Sequence, residues 1–238
     1  MQSQDNHLLE TIKSVFVPIH PTGWPFIAIF FAVFVVLALI SSFLGWIGFI
    51  LLFWCVYFFR NPNRISPIRE GLIISPADGI VQTISKVIPP AELELGEDEH
   101  TRVSIFLNVF DVHVNRIPIA GSISKLHYEP GKFLNASLDK ASEENERQII
   151  KITTPDDASI GVVQIAGLVA RRIVCDLIEN QPVKTGEQFG IIRFGSRVDV
   201  YLPPDVMPMV MIGQRMVGGE TIIADIKSNE SNRIGTKH

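Results

Sequence analysis

The chain has 238 residues, of which 47% are hydrophobic, and its formal net charge at pH 7 is −4. This slightly acidic balance, with no long basic block, excludes nucleic acid as a partner on electrostatic grounds. Cys55 and Cys175 form neither a CxxC pair nor a disulfide framework, so we interpret both as inert buried thiols.

The first element in chain order is an apolar segment, residues 14–59, that contains no Asp, Glu, Lys or Arg. Its densest part, residues 25–59, would span about 50 Å as a single straight helix, whereas the hydrocarbon layer of a bilayer is about 30 Å thick. A single transmembrane helix is therefore a poor fit. Small and polar residues near the middle favour a turn there: Ser41, Ser42, Gly45 and Gly48.

We predict two short helices, Trp24–Ile40 and residues 46–59, which form a transmembrane or membrane-embedded hairpin within residues 1–60. A hairpin returns both of its ends to the same side of the membrane. The basic residues that flank it predict that this side is cytoplasmic, so we expect the protein at the cell membrane. They are Lys13, Arg60, Arg64 and Arg69. A re-entrant or interfacial hairpin is the alternative.

The remainder, residues 61–238, is long enough for one domain with its own core. Apolar and polar residues alternate in residues 102–107 and 197–202, which is typical of strands. Turn signals recur at residues 76–79, 130–131, 155–157 and 218–219. The sequence predicts a mostly β domain, a sandwich or a barrel. Residues 135–147 are polar and charged, and we interpret them as a loop or a short helix.

Three positions in this domain could carry chemistry. Asp78 lies in S-P-A-D-G and is typical of a turn, and Gly195-Ser196 between two strands is typical of a bulge or turn. His113 lies in a stretch, residues 106–116, that we interpret as an alternating strand with Asp111 and His113 on one face. The sequence contains no H-x-H, H-E-x-x-H, CxxC or G-x-S-x-G pattern, so we predict no metal site and no α/β-hydrolase nucleophile.

Taken in order, short motifs resemble those of the phosphatidylserine decarboxylases, which are self-processing pyruvoyl enzymes. The length and the terminal apolar hairpin resemble the short form of the family, which is similar to the archaetidylserine decarboxylases. The motifs are F-R-N-P at 59–62, S-P-A-D-G at 75–79, D-V-H at 111–113, Y-E-P-G-K-F at 128–133, N-E-R at 145–147 and F-G-S at 194–196.

The resemblance implies decarboxylation of phosphatidylserine to phosphatidylethanolamine. It also implies self-cleavage between Gly195 and Ser196, which leaves a β piece, an α piece and a covalent pyruvoyl group derived from Ser196. Asp78 or His113, or both, would be the base for cleavage, and His113 the acid for decarboxylation. Phosphatidylserine in the bilayer is the expected partner. Candidate contacts for the lipid phosphate are Lys132, Arg147 and Arg197.

One departure from the family pattern concerns Arg116, which occupies the position of a second histidine in longer members. Arginine stays protonated at neutral pH and cannot replace that histidine as a base. Two alternatives remain open: a pyruvoyl decarboxylase of another seryl lipid, and a membrane-tethered β module without chemistry. A homo-oligomer is compatible with the sequence.

Overall fold

The structure is a computed structural model that divides into two compact units between Asn63 and Arg64, close to the boundary between residues 60 and 61 predicted above. Lys132 and most of the predicted loop or helix at 135–147 lie outside the residues that the structure describes. Those residues are 17–131, 144–167, 172–193, 195–231 and 233–236.

The first unit contains two helices, α1 (Trp24–Ile40) and α2 (Ser42–Phe58), and a preceding 3-10 turn, Pro21–Gly23. Ser41 alone separates the helices, with an extended backbone (φ −162°, ψ 153°). Its Oγ accepts a hydrogen bond from the Leu44 N–H at 3.2 Å and so caps α2. The predicted pair of helices is confirmed, although α2 begins four residues earlier than residue 46.

The two glycines assigned to the turn lie inside α2 instead. A Cβ added at Gly48 would be 2.8 Å from Phe34 Cα, and one added at Gly45 would be 3.1 Å from Ala38 Cα. Both glycines therefore allow close approach of the two helix backbones, as small residues do between membrane helices. Their prediction as turn residues was wrong because helix packing and turns favour the same small side chain.

Main-chain hydrogen bonds bring the two ends of the hairpin together. His20 N donates to Phe59 O at 2.8 Å, and Asn61 N donates to Pro18 O at 2.7 Å. Among the described residues, the helix Pro21–Ile40 is long and apolar enough to cross a membrane, and Ser42–Phe58 is a shorter apolar helix. Large apolar side chains on both helices are exposed, which suits a helix that is surrounded by lipid.

The second unit consists mainly of strands, as predicted. In chain order the strands are β1 (Leu72–Ile74), β2 (Gly79–Val87), β3 (His100–Leu107), β4 (Val114–Arg116), β5 (Gly121–Glu129), β6 (Arg147–Thr153), β7 (Ser159–Ala166), β8 (Ile173–Cys175), β9 (Pro182–Val183), β10 (Gln188–Ile192), β11 (Ser196–Tyr201), β12 (Arg215–Met216) and β13 (Ile222–Asp225). A 3-10 turn, Ala91–Leu93, lies between β2 and β3.

These strands form three antiparallel sheets. An eight-stranded sheet, in the order β12-β2-β3-β11-β7-β6-β5-β9, curls into a half-barrel. A three-stranded sheet has the order β4-β10-β8, and β1 pairs with β13. The half-barrel confirms the predicted mostly β, barrel-like class.

Strand β11 lies near the middle of the large sheet, between β3 and β7. Because side chains alternate along a strand, Val198 and Val200 lie on the same face as Ser196 and belong to the main hydrophobic core. Tyr201 lies on the other face, in a smaller cluster that includes Leu93. The alternation therefore directs Ser196 into the interior of the domain.

Candidate active site

The Gly195-Ser196 bond lies where the chain passes from one sheet to another. Strand β10 ends at Ile192 in the three-stranded sheet, and β11 begins at Ser196 in the eight-stranded sheet. Gly195 has φ +60°, in the left-handed region that favours glycine. Gly195-Ser196 is therefore not an ordinary bulge or turn, as the sequence suggested. It lies in the segment that connects two sheets, and its glycine has a left-handed backbone.

The space beside Gly195 is open, whereas Ser196 is buried. A Cβ added at Gly195 would meet no atom of the described residues within 4 Å. Ser196 is 0% exposed and lies opposite Leu107 of β3 and Ala166 of β7. Among the described residues its Oγ has no hydrogen-bond partner. A buried hydroxyl without a partner is unusual and is a common feature of reactive positions.

His113 lies beside the same crossing. Its carbonyl oxygen accepts a hydrogen bond from Ile192 N at 3.2 Å, at the end of β10, and the residue is 0% exposed. Its Nδ1 is 3.0 Å from the Asp111 carbonyl oxygen. A carbonyl only accepts, so Nδ1 carries the proton, and Nε2 of the neutral ring keeps its lone pair. This tautomer gives Nε2 the capacity to act as a base.

The loop before His113 corrects one detail of the sequence interpretation. Residues 106–116 are not a continuous strand, because β3 ends at Leu107 and β4 begins at Val114. Asp111 is buried in the intervening loop, where its Oδ2 accepts from Asn108 N at 2.9 Å and its Oδ1 from Arg215. Asp111 therefore orients His113 through its main-chain carbonyl and stabilises the loop with its carboxylate.

Asp78 lies at the same end of the large sheet, immediately before β2. With β3 between β2 and β11, it is roughly 10 Å from Ser196 across the sheet. Arg64 donates to both of its carboxylate oxygens, at 3.0 and 2.8 Å, and Gly218 N donates at 2.7 Å. Burial raises the pKa of Asp78, although Arg64 and Gly218 oppose that rise. Its carboxylate is thus largely occupied by other groups.

Arg116 follows directly on Asn115 in β4, so the two side chains project from opposite faces of the strand. The Arg116 guanidinium donates to Gly186 O at 3.0 Å, and burial, assisted by the charge of Arg64, lowers its pKa. It therefore belongs to a buried charge cluster with Arg64 and Asp78 and does not replace a histidine beside Ser196.

Arg147 and Arg197, two of the predicted phosphate contacts, lie on the face of the sheet opposite Ser196. Both are in register with Ile165 of β7. Arg197 is only 2% exposed, and its Nε and NH2 groups each lie 2.9 Å from a carboxylate oxygen of the buried Asp199. Arg197 is thus not a surface residue. Arg147 is 3.3 Å from Glu92, and Lys132 lies outside the described residues.

Sequence reasoning missed two polar residues on the Ser196 face, Gln164 of β7 and Asn115 of β4. Both are 0% exposed, and Gln164 Nε2 donates to Asn115 Oδ1 at 2.7 Å. Two features of the sequence could have indicated them. One is the single glutamine in the otherwise apolar end of β7, G-V-V-Q-I-A at 161–166, and the other is the asparagine two positions after His113.

A group that could bind a metal ion exists among the described residues, at Glu92, His127 and Glu129, whose potential ligand atoms all lie within 4.8 Å of one another. These side chains are partly exposed, and all three already have partners. His127 Nε2 is 3.1 Å from Glu129, and Arg147 is 3.3 Å from Glu92. The cluster does not include Ser196 or His113.

Comparisons with known proteins identify the family of this chain. The family model described as phosphatidylserine decarboxylase matches residues 51–224. A phosphatidylserine decarboxylase proenzyme of Cereibacter sphaeroides is 56% identical over 227 residues, 95% of this chain and 98% of that protein. The phosphatidylserine decarboxylase proenzyme of Ruegeria pomeroyi is 59% identical over 210 residues, which are 88% of this chain and 96% of that protein. The chain therefore belongs to the phosphatidylserine decarboxylase family.

Proposed function

We propose that this chain decarboxylates phosphatidylserine to phosphatidylethanolamine with a pyruvoyl group formed from Ser196. Family membership supports this reaction, which is that of a carboxy-lyase. It also indicates that the chain is synthesised as a proenzyme. The observation that supports Ser196 is structural. It is a buried serine whose hydroxyl has no partner among the described residues, and it follows a left-handed glycine with open space beside it.

Self-cleavage begins when Ser196 Oγ attacks the carbonyl carbon of Gly195. The hydroxyl proton goes to a base, the C–N bond of the peptide breaks, and the Ser196 nitrogen leaves as an amine, so that an ester links the two residues. Removal of the Ser196 Cα proton then breaks the Cβ–Oγ bond and releases the Gly195 carboxylate. Hydrolysis of the resulting dehydroalanine releases ammonia and leaves the ketone at position 196.

His113 is the better candidate for the base of this step. Its Nε2 has a lone pair in the tautomer that Asp111 imposes, whereas the Asp78 carboxylate already accepts hydrogen bonds from Arg64 and Gly218. We propose that Asp78 instead holds Arg64 and the residues around Gly218 in place. The charge cluster of Arg64, Asp78 and Arg116 then shapes one side of the site without transferring a proton.

The residues around position 196 fit a pyruvoyl group. The position is buried, so water is restricted, and the space beside Gly195 is open. When present, this group supplies an electron sink that stabilises the carbanion left by loss of CO2. His113, once its Nε2 has taken up a proton and the ring is an imidazolium, would donate that proton to the substrate Cα and return to the neutral tautomer.

The apolar hairpin supports a lipid substrate, because a diacyl lipid stays in the bilayer while its headgroup reaches the catalytic domain. Membrane association is supported by the helix Pro21–Ile40. The cytoplasmic orientation is a proposal that rests on the positive-inside rule. Of the basic residues after the hairpin, Arg64 and Arg69 also form ion pairs, with Asp78 and Asp225.

The test is the covalent state of the purified full chain. Intact mass and a denaturing gel should show two pieces, residues 1–195 and 196–238, with the second blocked to Edman sequencing. Ser196→Ala should remain one full-length chain without decarboxylase activity. A single full-length band from membranes that decarboxylate phosphatidylserine would contradict the pyruvoyl proposal. Assays with other seryl lipids would measure headgroup and tail preference.

A further inference from the structure

Gln164 is a polar side chain in the main hydrophobic core, close to the proposed reactive position. In the register of β7 and β11, Ala166 lies opposite Ser196 and Gln164 lies opposite Val198. Gln164 is therefore the diagonal neighbour of Ser196 on the same face, at roughly 7–8 Å. A side chain as long as glutamine can reach across that distance toward the site.

The orientation of the Gln164 amide follows from a chain of hydrogen bonds. The Pro76 carbonyl can only accept, so it receives Asn115 Nδ2, at 3.5 Å. This places Asn115 Oδ1 toward Gln164, which must then donate from Nε2, at 2.7 Å. The oxygen of the Gln164 amide is thereby directed away from Asn115. Asn115 thus acts as a positioning residue for Gln164.

The remaining oxygen, Gln164 Oε1, is buried and has no hydrogen-bond partner among the described residues. A buried acceptor without a donor costs about 1–3 kcal/mol, so such a group in a binding site indicates the type of ligand that completes it. An oxygen acceptor repels a carboxylate or a phosphate and attracts an N–H or O–H donor. The Ser196 hydroxyl is one such donor, but self-cleavage consumes it.

We propose that Gln164 Oε1 binds the amino group of the lipid headgroup, and that Asn115 positions Gln164 for this contact. The inference rests on the proposed function, because the substrate amine must come to position 196 to react. An acceptor beside that position selects a headgroup with a primary amine and holds its nitrogen toward the reactive carbon. A methyl headgroup of equal size would leave this acceptor without a donor.

The experiment compares the binding of two lipids to the processed full chain in detergent, by titration calorimetry. Phosphatidylethanolamine has the amine, and phosphatidylpropanol replaces it with a methyl group of similar size. We expect the wild type to prefer phosphatidylethanolamine by about tenfold or more, as for a hydrogen bond to a charged group. Gln164→Met should lose this preference and still undergo self-cleavage.

Two further variants serve as controls. Gln164→Glu, which burial keeps protonated, retains both a donor for Asn115 Oδ1 and an acceptor oxygen in a side chain of the same shape, and should keep the preference. Gln148→Met removes another buried amide, from the neighbouring strand β6, whose Nε2 donates to the His127 carbonyl at 3.2 Å. This variant should also keep the preference, although Gln148 lies opposite Gln164 in the register of β6 and β7, because its Nε2 donates to the His127 carbonyl and not to the Gln164 oxygen.

Several outcomes would overturn the assignment. Equal binding of both lipids by the wild type would do so without any variant, even if Gln164→Met failed to fold. A folded and cleaved Gln164→Met protein that kept the full preference would show that Gln164 does not bind the headgroup amine. A folded Gln164→Met protein that remained uncleaved would show that Gln164 instead acts on Ser196 before cleavage. Absence of self-cleavage in the wild type would contradict the proposed function instead.

Discussion

At the scale of single residues, the site depends on the direction of hydrogen bonds more than on the identity of side chains. The Asp111 carbonyl determines which nitrogen of His113 carries the proton, and the Pro76 carbonyl determines how the amides of Asn115 and Gln164 face. In both cases a carbonyl oxygen, which can only accept, fixes the tautomer or the orientation of the neighbouring side chain. The atom proposed to act, His113 Nε2 or Gln164 Oε1, is the one that this hydrogen bonding does not use. Gly195 contributes its left-handed backbone instead of a side chain.

His113 can be tested as the base for cleavage. We expect His113→Ala to remain full length, because the carboxylate of Asp78, the other candidate base, already accepts hydrogen bonds from Arg64 and Gly218. Asp78→Asn should cleave at a measurable rate, since its carboxylate already accepts hydrogen bonds from Arg64 and Gly218. A gel time course after synthesis measures both. Cleavage of His113→Ala at the wild-type rate would restrict His113 to the decarboxylation step.

Gly195 is predicted to affect both stability and cleavage. Gly195→Ala introduces a Cβ into a left-handed backbone, which costs about 1–2 kcal/mol, although the space around it is open. Self-cleavage should therefore slow, because the strained residue shifts from the reactive geometry. Gly96→Ala is the matched control, since Gly96 has φ +95° and equally open surroundings. It should lose similar stability and cleave normally, and urea unfolding in a Ser196→Ala background measures the stabilities.

At the scale of elements, β11 separates two environments by simple alternation. Ser196, Val198 and Val200 face the main core, whereas Arg197 and Asp199 form a buried ion pair on the other face. The proposed reactive position, Ser196, is therefore followed directly by Arg197, whose ion pair lies on the opposite face of the strand. Strands β3 and β7 pair with the two edges of β11 along its whole length, so its backbone groups are satisfied on both sides.

The buried pair gives a prediction about the stability of this strand. Arg197→Met alone leaves Asp199 buried without its partner and should cost about 3–5 kcal/mol. The double variant Arg197→Met/Asp199→Leu should be much less destabilised than the two single changes summed. Unfolding of the full chain in detergent, with Ser196→Ala to keep one polypeptide, measures the coupling. Additive effects would mean that the pair contributes no mutual stabilisation.

At the scale of the whole molecule, an apolar hairpin precedes a β domain in which two sheets supply different parts of the site. The eight-stranded sheet provides Ser196 and Gln164, and the three-stranded sheet provides Asn115, with His113 immediately before it. The chain joins the sheets at Gly195. Because both sheets must be in place to bring these groups together, we expect self-cleavage to follow folding of the β domain.

The stability of the whole domain should depend on alkaline pH through Tyr201. Burial, assisted by the charge of Asp199, raises the pKa of Tyr201 to about 12 from 10.0. Above pH 10 the unfolded chain loses this proton before the folded one does. The free energy of unfolding should therefore fall by roughly 2–3 kcal/mol as pH rises from 10 to 12.

Tyr201→Phe removes this titration and should flatten the decline in the free energy of unfolding between pH 10 and pH 12. The measurement is urea unfolding at several pH values, again with Ser196→Ala. Tyr128→Phe is the comparison: Tyr128 is 52% exposed and slight burial also raises its pKa, so its removal should flatten the decline less than Tyr201→Phe does. A decline of equal size in the Tyr201→Phe variant would assign the pH dependence to other groups.

Much of the architecture could be predicted because it depends on local patterns. The run of apolar residues without charge predicted a pair of apolar helices, and the period-two alternation around residues 103 and 198 predicted strands; the structure contains both. Ordered short motifs indicated Asp78, His113 and Ser196 as the candidate site. By contrast, Gly45 and Gly48 were misassigned, since the choice between a turn and helix packing depends on what the opposite helix presents.

What the sequence by itself determined is therefore the class of the fold, the apolar hairpin and the choice of Ser196 as the candidate reactive serine. Only the tertiary structure decided which face of the sheet each residue occupies, that Arg197 is buried against Asp199 and that Gln164 has a buried acceptor beside Ser196. The physical reason is that burial, ion pairing and hydrogen-bond direction arise from strands distant in the chain. Residues 115 and 164 meet because the two sheets pack together, which no local pattern records.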